Sequence, residues 1–573
     1  MELTIAQTLQ QGVASHTEGR FQEAEHLYRT ILESQPLHPD ANHNLGVLEV
    51  SFNKVIEALP LFKNALEANP KIEQFWLSYI DALIKEKQFD NAKQTLEQGK
   101  KQGVSREKLY VLESQLAIRH YNLGIKQQEQ GRLDEAEASY TEAVTLKFDF
   151  AEAHNNLGIT LQELNRLEEA EASYTQAIAF KPDYAEAQSN LGNIFKEMGF
   201  LDKAEASYSQ AIALKPNYAE AYNNLGIIFK QQGRLDKAEA SYRQAIMIKP
   251  QYFEAHFNLG ITLQEQGRLD VAEKSYRQML ALNPDNADAY YNLGITLQEQ
   301  GRLDEAEASY TQAIVLKPDF SKAHDNLLKC LYLDDKRALF FDELDYLINQ
   351  NKANAVIGSL TSRSELKYGL KKPNLFCREP LKYVLHVDLN TQYNFEETFV
   401  EKVRSILNKN KISNRKQPLL FNGYQTSGNL FDIENSFTEK IQKAIRLEIE
   451  KYRINFKNSK EGFIKKWPNE YDLYGWLINM KSGGELQPHI HEQGWISGSV
   501  YINVPSNLKA DSGKLVVSLG LEKDATDNRT NKKIIINVVT GSLVLFPGSL
   551  THYTIPFEAE EERIVLAFDV IEK

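Results

Sequence analysis

The chain has 573 residues, a formal net charge of −12 and an ordinary mix of apolar and charged side chains, so it has room for at least two domains with cores of their own. That charge balance argues against a nucleic-acid-binding surface or a polybasic membrane patch as the main business of the molecule. No apolar run approaches the ~18 residues of a membrane span, the first residues lack the basic-then-apolar profile of a secretory leader, and only two cysteines occur. A cytoplasmic protein is expected, with Cys330 and Cys377 free and buried.

From the start of the chain the sequence repeats. Proline recurs at 182, 216, 250, 284 and 318, and glycine at 124, 158, 192, 226, 260 and 294, both at a spacing of 34. Within a unit such as 151–184, two helix-period apolar patterns flank a polar turn, which predicts a helical hairpin. Gly158 and Ala170 let its two helices approach, Tyr174 and Ala177 fill the contact to the next unit, and Pro182 stops the second helix. The pattern is similar to tetratricopeptide repeats. Nine units run 5–38, 39–72, 73–106, 117–150, 151–184, 185–218, 219–252, 253–286 and 287–320. The third is degenerate, with Ile80 where glycine belongs, and Glu107 to Leu116 form an insertion at which a bend or break is expected. A tenth unit begins at Ser321 but has Leu328 in place of glycine, which suits a capping helix.

Asn44, Asn122, Asn156, Asn190, Asn224, Asn258, Asn292 and Asn326 share the sixth position of their units. On the first helices of such an array, a column of amides suits an extended peptide backbone, read without regard to its side chains. In this respect the array resembles the repeat domain of the O-linked N-acetylglucosamine transferases, whose concave asparagines hold substrate peptides. The competing reading is that asparagine is simply common at this position. The repeat domain is placed at 5–334, and 335–353 reads as one connecting helix.

Beyond 353 the periodicity changes. Ser362 to Gly369 and Lys372 to Pro380 carry turn formers and little pattern, predicting a structured connector. Tyr383 to Asp388 reads as a strand, and Phe395 to Asn408 and Phe437 to Arg453 as helices. Eight short strands follow: 473–480, 486–491, 496–504, 514–519, 533–539, 542–546, 552–555 and 563–570. With turn signals between them they predict a jelly roll. The fold class expected is therefore an all-α repeat solenoid followed by a jelly-roll domain, 354–573, with flanking helices.

His489 and His491 stand two apart in a strand-like setting, and same-face alternation aims both imidazoles at one point. About sixty residues on, Leu543-Val-Leu-Phe-Pro-Gly-Ser-Leu-Thr-His552 brings a third histidine. Any one of these is more often a hydrogen-bonded core residue than a ligand. Together they form a set that holds a divalent first-row metal with positions left open. Eleven residues after His552, Arg563 opens an apolar alternating strand, where a carboxylate clamp belongs.

These residues resemble the iron(II)- and 2-oxoglutarate-dependent oxygenases of the double-stranded β-helix fold, in particular those fused behind tetratricopeptide repeats in bacteria. The likeness runs over roughly 354–573: Ser362 to Gly369, Lys372 to Cys377, Gln425 to Phe431, His489-x-His491 with Gly494-Trp-Ile-Ser-Gly498, and Phe546 to Arg563. It implies iron(II) held by His489, His491 and His552, 2-oxoglutarate as cosubstrate with its distal carboxylate on Arg563, and hydroxylation as the outcome. His491 falls where most of that superfamily has Asp or Glu, and three imidazoles leave the full charge of the dication in place. Glu492 is expected to point away. Trp495, Ser497 and Tyr501 are candidates to shape the pocket. Gly483 and Gly541 also resemble the cupin pattern, but a glutamate shortly after His491 is missing. The resulting expectation is an oxygenase whose repeats bind a protein or peptide, against the alternative of a repeat adaptor with a non-catalytic or cupin-like metal-binding barrel.

Overall fold

The computed structural model describes residues 4–408, 414–415, 417, 419–433, 435–506, 508–509, 511–521 and 532–573. They fall into two units, Met1–Gln266 and Gly267–Lys573. The first consists of helical hairpins. Their helices are Ile5–Thr17 with Phe21–Ser34, Pro39–Ser51 with Val55–Ala68, Glu73–Lys85 with Phe89–Lys101, Arg106–Glu129 with Leu133–Leu146, Ala151–Glu163 with Leu167–Phe180, Ala185–Glu197 with Leu201–Leu214, and Ala219–Gln231 with Leu235–Ile248; Phe253–Glu265 follows. Four of these hairpins, from Arg106–Glu129 with Leu133–Leu146 to Ala219–Gln231 with Leu235–Ile248, are closed on a glycine–tyrosine contact. Tyr140, Tyr174, Tyr208 and Tyr242 are fully buried, and their rings fill the space a β-carbon would need at Gly124, Gly158, Gly192 and Gly226. The turns place Gly131, Asn165, Gly199 and Gly233 at positive φ, where glycine and asparagine cost least.

The insertion at Glu107 to Leu116 does not break the helical run. It extends one continuous helix, Arg106–Glu129, at its N-terminal end. Leu109, Leu112 and Leu116 are buried there with Trp76 and Leu96, so apolar periodicity carries the added turns as core.

In the second unit the helices Leu269–Leu282, Ala287–Glu299, Leu303–Leu316, Ser321–Leu333 and Arg337–Asn349 continue the pattern. The expected connector is itself helical over Ala355–Tyr368, capped by Asn354 at the Ile357 N–H (2.9 Å) and ended by Gly369 at φ 67. Residues 355–361 are all buried. Covered on every side, this first half shows no polar stripe, which is why residues 355–361 lack a helical period.

Among the described residues, ten strands form one antiparallel, barrel-like sheet: β1 (Leu385–Asp388), β2 (Asn414–Arg415), β3 (Leu420–Thr426), β4 (Tyr471–His489), β5 (Ile496–Asn503), β6 (Leu515–Ser518), β7 (Lys533–Ile536), β8 (Ser542–Pro547), β9 (Thr551–Thr554) and β10 (Arg563–Glu572). Their order is β1-β8-β5-β10-β4-β9-β6-β7, with β3 on β4 and β2 on β3. The two strands expected at 473–480 and 486–491 are one. β4 pairs with β10 along its first half and with β9 at its end, and Gly483 at φ 73 lies between the two stretches. The helix Ser436–Asn455 covers one face of the sheet through Ile441, Ile445 and Ile449, while Ile478, Tyr501, Val517, Val544 and Val565 fill the interior.

The glycine–tyrosine contact predicts that Gly226→Val, which drives side-chain atoms into the Tyr242 ring, costs about 1–3 kcal/mol. Hydrogen exchange should show protection lost in Ala219–Gln231 and Leu235–Ile248, with the barrel strands unchanged.

Candidate metal centre

His489 ends β4 and lies opposite His552 of β9 in the sheet register. His491 follows two residues beyond the strand, and its Nε2 stands 3.2 Å from that of His489. One ring nitrogen from each of the three histidines lies within 4.8 Å of the others. The opposite nitrogens are occupied: His491 Nδ1 by Asp569 Oδ1 at 2.7 Å, His489 Nδ1 by the Gln487 carbonyl at 2.7 Å, and His552 Nδ1 by the Leu550 carbonyl at 3.4 Å. Acceptors at all three Nδ1 atoms assign the proton there and leave the Nε2 lone pairs for a common ligand. Burial, reinforced by His491, lowers the His489 pKa to about 4. Burial likewise holds His552 well below the usual imidazole range, with His489 and His491 adding to it. Both rings are neutral at pH 7, the state in which imidazole binds metal.

Asp569 was not legible as a site residue. Its carboxylate stands behind His491 and also accepts from Ser497 Oγ at 2.8 Å. The signal was present in the alternation of β10. Arg563, Val565, Ala567 and Asp569 share one face by the two-residue period, and Val565 and Ala567 line the cavity next to the histidines. Glu492 points away from the cluster and pairs with Lys329. Trp495 is a packing residue, with Nε1 donating to the Phe463 carbonyl at 2.7 Å and its ring against Phe376.

The cavity has a volume of about 250 Å3, and its walls include all three histidines, Tyr501, Phe546 and Val565. Arg563 is not one of the lining residues. It lies fully buried beyond Tyr501, whose ring centre is 5.2 Å from its guanidinium carbon. Nη1 donates to the Gly513 carbonyl, while Nε and Nη2 have no hydrogen-bond partner among the described residues. Burial lowers its pKa. A buried cation with unmet donors is costly unless an anion meets it.

The family model described as "Putative 2OG-Fe(II) oxygenase" matches residues 474–569, and two described as "Tetratricopeptide repeat" match 17–71 and 49–116. The chain carries tetratricopeptide repeats and a C-terminal 2OG-Fe(II) oxygenase-family domain. A further model, "Cilia and flagella-associated protein 70 C-terminal domain", matches 113–327. Among solved structures, "YrrB: a TPR protein with an unusual peptide-binding site" is 24% identical over 32% of this chain and 95% of its own, with a TM-score of 0.29. MamA is 27% identical over 29% and 96%, with a TM-score of 0.27. The pilF protein of Pseudomonas aeruginosa is 18% identical over 36% and 95%, with a TM-score of 0.34. Scores this low carry no structural argument. No curated protein matches the chain.

The residues around the oxygenase-family site suit the groups that family uses. Three imidazoles fit a divalent first-row metal, and the Arg563 donors left unpaired among the described residues fit a carboxylate. In the repeats, the asparagine column is partly spent on its own neighbours. Asn156 Nδ2 donates to Tyr121 Oη, Asn190 to Asn155, Asn224 to Asn193 and Asn258 to Asn223, at 3.0–3.2 Å, while Asn292 donates to the Asp288 carbonyl at 2.8 Å. All five remain half-buried at the surface. Among the described residues, no helix is long and apolar enough to cross a membrane. Both cysteines are buried and free.

A buried guanidinium with two donors unpaired among the described residues weakens the ligand-free fold. Arg563→Met should therefore stabilise the metal-free barrel by about 1 kcal/mol or more, read by urea unfolding followed through tryptophan fluorescence, since three of the four tryptophans lie after residue 353. A loss of stability would instead make Arg563 a structural residue.

Proposed function

We propose that residues 354–573 form a 2-oxoglutarate- and iron(II)-dependent oxygenase domain that hydroxylates a substrate, and that the repeat array, 5–334, binds a protein or peptide, with 335–353 connecting the two. The observation that supports this reading best is the pairing of two features in one barrel: three histidine ring nitrogens within 4.8 Å of one another, and a buried arginine past the cavity wall with two donors unpaired among the described residues. His489, His491 and His552 would hold the metal and Arg563 the distal carboxylate of the oxo acid. Held there, iron(II) and 2-oxoglutarate would supply, with dioxygen as the oxidant, oxidative decarboxylation to succinate and CO2 coupled to hydroxylation, one oxygen atom going to succinate and the other to the substrate.

The remaining steps belong to the chain. Asp569 fixes the orientation of the His491 ring. Tyr501, Phe546 and Val565 exclude water from the cavity, which strengthens the carboxylate–guanidinium contact. Bidentate recognition by Arg563 favours an oxo-diacid over a monoacid by about 1.5–3 kcal/mol. The half-exposed asparagine amides present one polar edge per repeat to an extended backbone. A cytoplasmic setting suits the two free cysteines.

The test is succinate formation from 2-oxoglutarate by anaerobically iron-loaded protein on exposure to oxygen. Turnover is expected in the wild type and lost in His552→Ala and Arg563→Ala. A wild type that binds iron yet neither binds nor decarboxylates 2-oxoglutarate would leave a repeat adaptor with a metal-binding barrel. Separately, Asp569→Asn should lower iron(II) affinity by roughly 10–100-fold, the usual cost of losing a carboxylate behind a ligating histidine, read by equilibrium competition with a metal-binding dye.

A further inference from the structure

A second chamber, of about 300 Å3, lies against the other side of His491 and is lined also by Tyr474, Trp476, Glu492, Gln493 and Asp569. It shares Gln425, Trp476 and His491 with the histidine-lined cavity. Its rim is solvent-accessible: Tyr474 is 41% exposed. No lysine or arginine lines it, and two carboxylates do. An anionic ligand group would meet both with no cation in the wall. A cationic one would find two aromatic faces, since the Tyr474 and Trp476 rings stand 6.1 Å apart at 53°, an arrangement that attracts ammonium and guanidinium groups.

The two carboxylates are not equivalent. Asp569 is engaged by His491 and Ser497. Glu492 instead pairs with Lys329 of the helix Ser321–Leu333, so the protein's own lysine already shows an ammonium seated on this carboxylate. Lys329 has a second carboxylate within range, because Glu299 is raised by burial and lowered by the Lys329 charge. An incoming cation at Glu492 therefore leaves Lys329 within electrostatic range of one carboxylate, Glu299. The same helix carries Asn326, whose Nδ2 donates to Tyr291 Oη at 3.1 Å, so the end of the asparagine column borders the residue that reaches Glu492.

We propose that this chamber receives the cationic side chain, lysine or arginine, of a polypeptide, stacked on Tyr474 and Trp476 with its head on Glu492. The binding assignment stands on the chamber itself; only the fate of that side chain rests on the oxygenase reading.

The test uses the full-length, metal-free protein and end-blocked pentapeptides Gly-Gly-X-Gly-Gly, with X lysine, arginine, glutamine or glutamate, followed by saturation-transfer NMR. Transfer is expected to the side-chain methylenes of the lysine and arginine peptides and not to the other two. Glu492→Gln should weaken lysine-peptide binding roughly fivefold, and Lys329→Gln, which removes the internal competitor, should strengthen it by a similar factor. Glutamine or glutamate peptides binding as well as lysine, or Lys329→Gln leaving affinity unchanged or lower, would overturn the proposal. With Mn(II) bound, the same methylene signals should broaden. Transfer without broadening in the Mn(II)-bound protein would place the peptide elsewhere and overturn it too. If Mn(II) fails to bind, the metal centre is refuted, and the metal-free transfer experiment still decides the chamber.

Discussion

Strand β10 is hydrogen-bonded on both sides, to β4 and to β5, and its inward face carries Arg563 at one end and Asp569 at the other. Six residues at ~3.3 Å each separate them by roughly 20 Å. The alternation of this one strand therefore sets a cation and an anion at opposite ends of one interior. Asp569 orients His491, and the register of β4 against β9 brings His489 and His552 to it. Arg563 stands at the far end with Nε and Nη2 unpaired among the described residues. A slip of one residue in β10 would turn both charges outward and close the interior on apolar side chains.

The departure from a ligating carboxylate at position 491 acquires a physical reading from this arrangement. The negative charge is present, but one hydrogen bond further out, on Asp569. Charge transmitted through an imidazole compensates the metal less than a direct carboxylate would, while the hydrogen bond still fixes the ring. The unmet guanidinium is the counterpart of this placement. It is a cost carried by the ligand-free fold, of the kind retained where a bound anion offsets it.

What was legible from the sequence followed from strict periods. The 34-residue spacing of glycine and proline predicted the hairpins, and Gly226 against Tyr242 shows why the period cannot drift. The two-residue spacing of His489 and His491 and the late His552 predicted a convergence that the geometry displays. What was illegible lacked a period or depended on distant chain. The first half of the helix Ala355–Tyr368 is buried all round and shows no amphipathic stripe. β3 mixes Asn422, Gly423 and Gln425 and does not alternate. β4 reads as two strands because Lys481 to Gly484 interrupts its apolar pattern. The asparagine column was visible, but its hydrogen bonds to preceding repeats were not, since those partners lie some 31–35 residues away. The Lys329–Glu492 pair joins residues 163 apart, beyond the reach of any local signal.

The most direct measurement of the central claim is anomalous diffraction at the iron edge from crystals grown anaerobically with iron(II) and 2-oxoglutarate. One peak is expected, coordinated by the Nε2 atoms of His489, His491 and His552, with the distal carboxylate of the oxo acid on Arg563. A metal ligated by Asp569 or Glu492 in place of a histidine, or an oxo acid bound away from Arg563, would contradict it.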